Sequence, residues 1–361
     1  MPQFSLQNLV QQVSRNCEVA SASQAGHFNL CGLLLRLRQL YKWEHGLPPW
    51  REPEPAGVLA WVEAKEGAWE SLEGTALQDL SWNGARLDPF DAEGLNQSLI
   101  PRSYAYGAGY SRGLTPTCFL GELLEMRRDD ELTILVLGPE LARDLDATPA
   151  LCQGTLIYAR QQALAFYLWD RLSDPVQQNN PLLQLALEAF GLKLSDLFRD
   201  PEAHRSRFEA LVDAELEACI RHEIGEAREH ELREAFRTVV GLFPQTRLEL
   251  WVRALKDALA ELNEWGRVCY LIEVGGLASL ALMLAWRPGL YSLLMPELEP
   301  AFWELARGGG WDRLEDTRHR ALVRLRGVAE ELRDVLAAAE TASPQRTRRE
   351  IEARFLAPLG L

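Results

Sequence analysis

The residues with the clearest chemical potential lie together on one run. Read at about 100° per residue, Arg205 to Arg237 forms a single helix with Phe208, Val212, Leu216, Cys219, Ile220, Ile224 and Ala227 on one apolar face. Glu223 falls near the middle of that face. His222 and Glu226 flank it along one edge, four residues apart, and His230 follows one turn later. A further carboxylate, Glu273, interrupts the apolar run Val268 to Trp286. A carboxylate removed from water needs a cation, a metal, strong donors or a proton, because an unpaired buried charge costs on the order of several kcal/mol.

Three chemistries satisfy that need. Carboxylates on facing helices, joined by histidine, are how helical proteins build metal sites. The di-metal version uses an acid-x-x-His pair on each of two helices, and this chain offers only Asp316-x-x-His319, turned away from the Leu314, Ala321, Leu325 and Leu332 face. The order His222-Glu223-x-x-Glu226 also differs from the zinc-protease motif, which needs histidine at both i and i+4. A metal ion is therefore allowed but not favoured. Ion pairing with Arg221, Arg253 or Arg267 is the preferred expectation. The third chemistry is a general acid or base, formed where desolvation and like charge raise one carboxylate pKa.

Other groupings are weaker. Cys17, His27, Cys31 and His45 supply zinc-ligand types, but their spacing matches none of the usual structural patterns. Tyr104, Tyr106 and Tyr110 interleave with Gly107 and Gly109 in a turn-rich stretch, Asp88 to Thr117, and are candidates to line a ligand pocket. The glycines do not form the dinucleotide fingerprint. Nucleophile elbow, Walker lysine and kinase motifs are missing.

A net charge of −14 over 361 residues argues against nucleic acid, since no long basic run offsets the repulsion from phosphates. The basic tail Arg346 to Arg349 is short and reads as a solvated helix start. Six scattered cysteines without a C-x-x-C pair read as free thiols in a reducing compartment. The first residues lack the charged start and apolar core of a secretory signal, so a cytoplasmic location is expected. Val268 to Trp286 approaches the ~20 residues of a membrane span. Glu273 and the Gly275-Gly276 pair instead make it a central helix of a globular protein, and no membrane partner is expected.

These candidates sit on a mainly α framework: a helical N-terminal half with one β-hairpin, followed by an antiparallel helix bundle. Helices are expected at the N-terminus (burying Phe4, Leu6, Leu9, Val10 and Val13), at Phe28–Trp43 and at Gly57–Leu72. Residues 118–126 and 132–137 flank RRDDE as the hairpin, with helices at 140–145 and 155–172. The polar run VQQNN before Pro181 separates residues 1–175 from residues 181–361. Beyond it the chain reads as helical throughout, including single helices at 246–265, 267–286 and 311–340.

The strings LLLRLRQLYKWEHGLPPW, LDPF, YGAGY, YLWDRLSDPVQQNNPLL and RHEIGE resemble an uncharacterised bacterial family of mostly helical proteins across most of the chain. The resemblance implies a helical fold and assigns no residue a role. Two functional readings follow: an interaction or ligand-binding protein that receives a protein or small molecule, or an enzyme built on Glu223, Glu226 and Glu273, with or without metal.

Overall fold

Ser5 accepts a hydrogen bond from the Asn8 amide and starts α1 (Leu6–Ala25). From there Leu9, Val13, Cys17 and Ala20 form a buried stripe. The computed structural model describes residues 5–111, 114–286, 289–338 and 343–361. Three residues of the expected helices, Phe4, Ala339 and Glu340, lie outside them. The chain divides into two units, Met1–Asp174 and Pro175–Leu361.

The first unit continues with α2 (Leu30–Glu44), α3 (Pro55–Glu70), the strands β1 (Leu80–Trp82) and β2 (Ala85–Leu87), and α4 (Ala92–Leu99). Asn83 and Gly84, both at positive φ, make the tight turn between β1 and β2. A curled sheet follows: β3 (Tyr104–Tyr110), β4 (Pro116–Asp129), β5 (Leu132–Arg143), β6 (Ala150–Gln153) and β7 (Leu156–Arg160), ending in α5 (Gln161–Ser173). Its order is β3-β4-β5-β7-β6, antiparallel except for the parallel β5–β7 pair. The α1 stripe packs on Tyr106, Ala108, Cys118, Leu120 and Ala142 of one sheet face, together with Leu95 and Leu99 of α4. Each such buried leucine contributes about 1.5–3 kcal/mol.

The β4–β5 hairpin stands where the sequence puts it, but it is the centre of a larger sheet. Residues 140–145 are not a helix: β5 runs on through Pro139 to Arg143. Pro139 is tolerated because it lies past the last β5–β7 pair, Leu137 with Arg160, and beside the irregular stretch of β4. Residues 156–160 are likewise the strand β7, and helix begins only at Gln161.

The second unit is helical: α6 (Pro181–Ala189), α7 (Leu194–Arg199), α8 (Arg205–Arg228), α9 (Arg233–Leu242), α10 (Arg247–Leu262), α11 (Arg267–Val274), α12 (Leu277–Trp286), α13 (Gly289–Leu294), α14 (Leu298–Ala306), α15 (Trp311–Ala338) and α16 (Pro344–Ile351). Two expected long helices are broken. The run 205–237 ends α8 at Arg228 and restarts at Arg233. The run 267–286 breaks at Gly275, whose φ of +69° closes α11 as a left-handed cap. Among the described residues no helix is long and apolar enough to cross a membrane.

Packing around α8 and α10 organises this unit. Thr246 caps α10 by accepting from the Glu249 amide, while the Glu249 carboxylate accepts from the Gln245 amide at 2.6 Å. Helix α10 buries nearly a full circumference, including Trp251, Leu255, Leu259 and Leu262. It reaches α8 at very close range. A Cβ on Gly225 would sit 2.2 Å from the Ala260 carbonyl oxygen, and one on Gly266 2.0 Å from the same atom. Asn263 completes the join, its side-chain amide donating to the Gly225 carbonyl at 2.8 Å.

Candidate metal centre

His222 and Glu226 occupy successive turns of α8 on the side that faces α10, where Lys256, Asp257 and Glu261 project back. The i,i+4 spacing on each helix stacks these side chains, and the close approach at Gly225 brings the two rows together. One ligand atom each from His222, Glu226 and Asp257 lies within 4.8 Å of the other two. His222 Nδ1 stands 3.2 Å from Glu261 Oε1, and Nε2 stands 3.9 Å from Glu226 Oε2.

Each of the three has a supporting group. Glu261, only 2% exposed, is gripped by both Nε and a terminal nitrogen of Arg267 while it faces the histidine. Lys256 Nζ donates to Glu226 Oε1. Asp257 accepts from the hydroxyl of Tyr291 on α13. The mouth of the cluster is open, since the Glu226 and Lys256 side chains each keep 29% of their surface.

The titration of the cluster follows from these neighbours. Burial pulls the His222 imidazole down, but the Glu261 carboxylate outweighs it and lifts the pKa to about 9. Burial raises Glu261, yet Arg267 and His222 together drive it down to about 2. Glu226 is lowered because Lys256 and His222 outweigh its desolvation. Asp257 is raised, chiefly by burial. Tyr291 is raised for the same reason, with Asp257 beside it.

The expected cluster of His222, Glu223, Glu226, His230 and Glu273 is thus assembled only in part. His222 and Glu226 converge; the third member, the Asp257 carboxylate, comes from α10 rather than from the chain's apolar run. Glu223 is half-buried, and its charge bears on His222 and Cys219. His230 is exposed because α8 has already ended two residues earlier. Glu273 is exposed too: the break at Gly275 leaves α11 a short amphipathic helix that buries only Val268 and Leu271. The deeply buried acid of α8 is Glu215, 5% exposed and pushed up to about 7 by desolvation despite its bond to Ser279.

The expected arginine pairings also shift. Arg221 pairs with Glu217 at 3.0 Å and Arg253 with Glu249 at 2.7 Å, each along its own helix, while Arg267 holds Glu261. Neither Asp257 nor Glu261 stood out in the sequence. Their signal was the spacing Lys256-Asp257-x-x-x-Glu261 on a helix of otherwise buried residues.

The remaining candidates are placed elsewhere. Cys17 is buried against Cys118, with the sulfurs 3.4 Å apart, whereas Cys31 and His27 are exposed, and His45 stacks on Tyr41. Tyr106 is fully buried and its hydroxyl donates to the Pro89 carbonyl at 2.7 Å, which removes it from any open pocket. Tyr104 is partly buried, and Tyr110 is exposed and stacked on Phe90. Gly107 and Gly109 leave room for Phe119 and Gln153: a Cβ would meet them at 2.2 Å and 1.5 Å. These glycines serve sheet packing. Asp316 and His319 are not brought into the cluster of α8 and α10, which is the only grouping with metal-ligand geometry among the described residues.

Chemically, one imidazole and two carboxylates suit a borderline divalent ion such as zinc, manganese or iron(II). A carboxylate behind the histidine, as Glu261 is, fixes ring orientation and raises ligand basicity in metal sites generally. Three protein ligands leave coordination positions for water or substrate.

Two family models match this chain. Residues 8–160 match the N-terminal domain, and residues 165–354 the C-terminal domain, of a family described as a family of unknown function (DUF6866). Neither a curated protein nor a solved structure matches it.

Proposed function

We propose that this chain, which belongs to the DUF6866 family, is a metalloprotein that holds one divalent transition-metal ion between α8 and α10. The observation that carries this reading is the convergence of His222, Glu226 and Asp257 from two helices, with one ligand atom from each within 4.8 Å of the others. Glu261 behind the imidazole and Tyr291 on Asp257 support it, because such outer contacts are what hold metal ligands in place. Binding deprotonates His222 and leaves Glu261 and Arg267 as a neutral pair behind it. An ion with open positions would supply Lewis acidity or a bound hydroxide, which keeps the enzyme reading alive on this site. The six free thiols support a cytoplasmic location.

Elemental analysis by mass spectrometry tests the proposal. Full-length protein purified without a metal-affinity step should carry about one equivalent of zinc, manganese or iron. Asp257→Asn and His222→Gln should lose it while keeping a native circular-dichroism spectrum. Wild-type protein that stays metal-free after incubation with each ion and desalting would sink the proposal.

A further inference from the structure

Of the cations around the cluster, Lys256 holds a position of its own. Arg267 is locked on Glu261 by two of its nitrogens, and Arg253 is held along α10 by Glu249 at 2.8 and 2.7 Å. Lys256 is different: its partner is Glu226, itself a member of the ligand trio. Once Glu226 and Asp257 coordinate a divalent ion, their two charges are spent on it. The Lys256 side chain, 29% exposed at the mouth of the site, would then be left without a carboxylate of its own beside an ion held by three protein ligands.

A cation next to an open metal position in a partly desolvated site favours an anionic ligand that can bridge both. Tyr291 adds a hydroxyl on the Asp257 side. Resting on the metal reading, we infer that the loaded site binds a small oxyanion, with one oxygen on the metal and another on Lys256 Nζ. A phosphate or carboxylate group of a substrate would bind in the same way. In the metal-free protein Lys256 instead closes Glu226, so it also competes with the ion for that ligand.

Cobalt(II) is the probe, since its visible absorption reports coordination directly. Full-length protein loaded with one equivalent of cobalt is titrated with inorganic phosphate, alongside Lys256→Met and Lys256→Arg. Phosphate should shift the wild-type bands saturably, and Lys256→Arg should keep the response. In Lys256→Met the midpoint should rise at least about tenfold, the order expected for loss of a charge-assisted bond, while cobalt binds no more weakly. Bands that ignore phosphate, or an unchanged midpoint in Lys256→Met, would overturn the inference and leave the metal site standing. Failure of wild-type protein to take up cobalt would remove both, and the two failures are told apart by the cobalt spectrum before phosphate is added.

Discussion

At the scale of single residues, Asp257 depends on Tyr291, whose hydroxyl donates to its carboxylate. Tyr291→Phe removes that donor, and outer-contact losses of this kind cost roughly 10- to 100-fold in metal affinity; competition against a chelating dye would measure it. The i,i+4 pair His222 and Glu226 was legible in the sequence because helical spacing alone puts the two on one edge. Asp257 was not, since no local pattern tells which turn of α10 will face α8, and Tyr291 was further out of reach, on a short helix 34 residues beyond. Glu215 makes a separate prediction about pH. Its folded pKa of about 7 lies above the ordinary 4.5, so the folded state prefers the protonated form. Stability is therefore fully present below pH ~4.5 and is lost as pH rises through 7, by about 3 kcal/mol at most. The groups facing it, Ser279, Arg267, Glu261 and Cys219, remain in Glu215→Gln. That variant should match wild type in urea melts at pH 4.5 and exceed it at pH 8. Equal midpoints at pH 8 would show that Glu215 carries no such penalty.

At the scale of elements, the misread segments share a physical cause. The strand YAYGAGY is rich in glycine, which ordinarily marks turns, yet here Gly107 and Gly109 admit Phe119 and Gln153 across the curled sheet. Gly138-Pro139 reads as a stop signal, and only the pairing pattern shows why β5 passes through it. Long-range packing decided these cases. The same holds for Gly225, which lies unremarked inside a helical run but sets the distance between α8 and α10. Gly225→Ala would drive its methyl into the Ala260 carbonyl, a backbone atom that cannot turn aside. The expected loss is about 1–3 kcal/mol, together with weaker metal binding as the two rows separate. In the sheet, Arg160 is fully buried and bonds Glu140 at 2.5 Å, with Arg143 3.5 Å from the other carboxylate oxygen. Glu140→Ala leaves two buried guanidinium groups without that counter-charge, and should cost about 3–5 kcal/mol in chemical denaturation. A loss below about 1 kcal/mol would mean that Asp144 and the rings of Phe119, Trp43 and Phe166 suffice for them.

At the scale of the whole molecule, mainly α composition was readable from periodicity, while the sheet was visible only through its central hairpin. The division of the chain bears directly on function. His222, Glu226, Asp257, Glu261, Arg267 and Tyr291 all belong to the unit Pro175–Leu361, and every contact described for them is made within it. The family match ends one domain at residue 160 and begins the next at 165, close to the same place in sequence. A protein of residues 175–361 has its own apolar interior, with Trp251, Leu255, Leu259, Leu280 and Phe302 among its buried residues. It should fold alone and take up the same metal with the affinity of the full chain, within about threefold. Isothermal titration of both proteins with zinc or manganese makes the comparison. Equal affinity would make the second unit sufficient for the metal chemistry and leave the sheet-bearing unit a separate task. A folded fragment that binds more than tenfold more weakly would show that residues 1–174 contribute to the site.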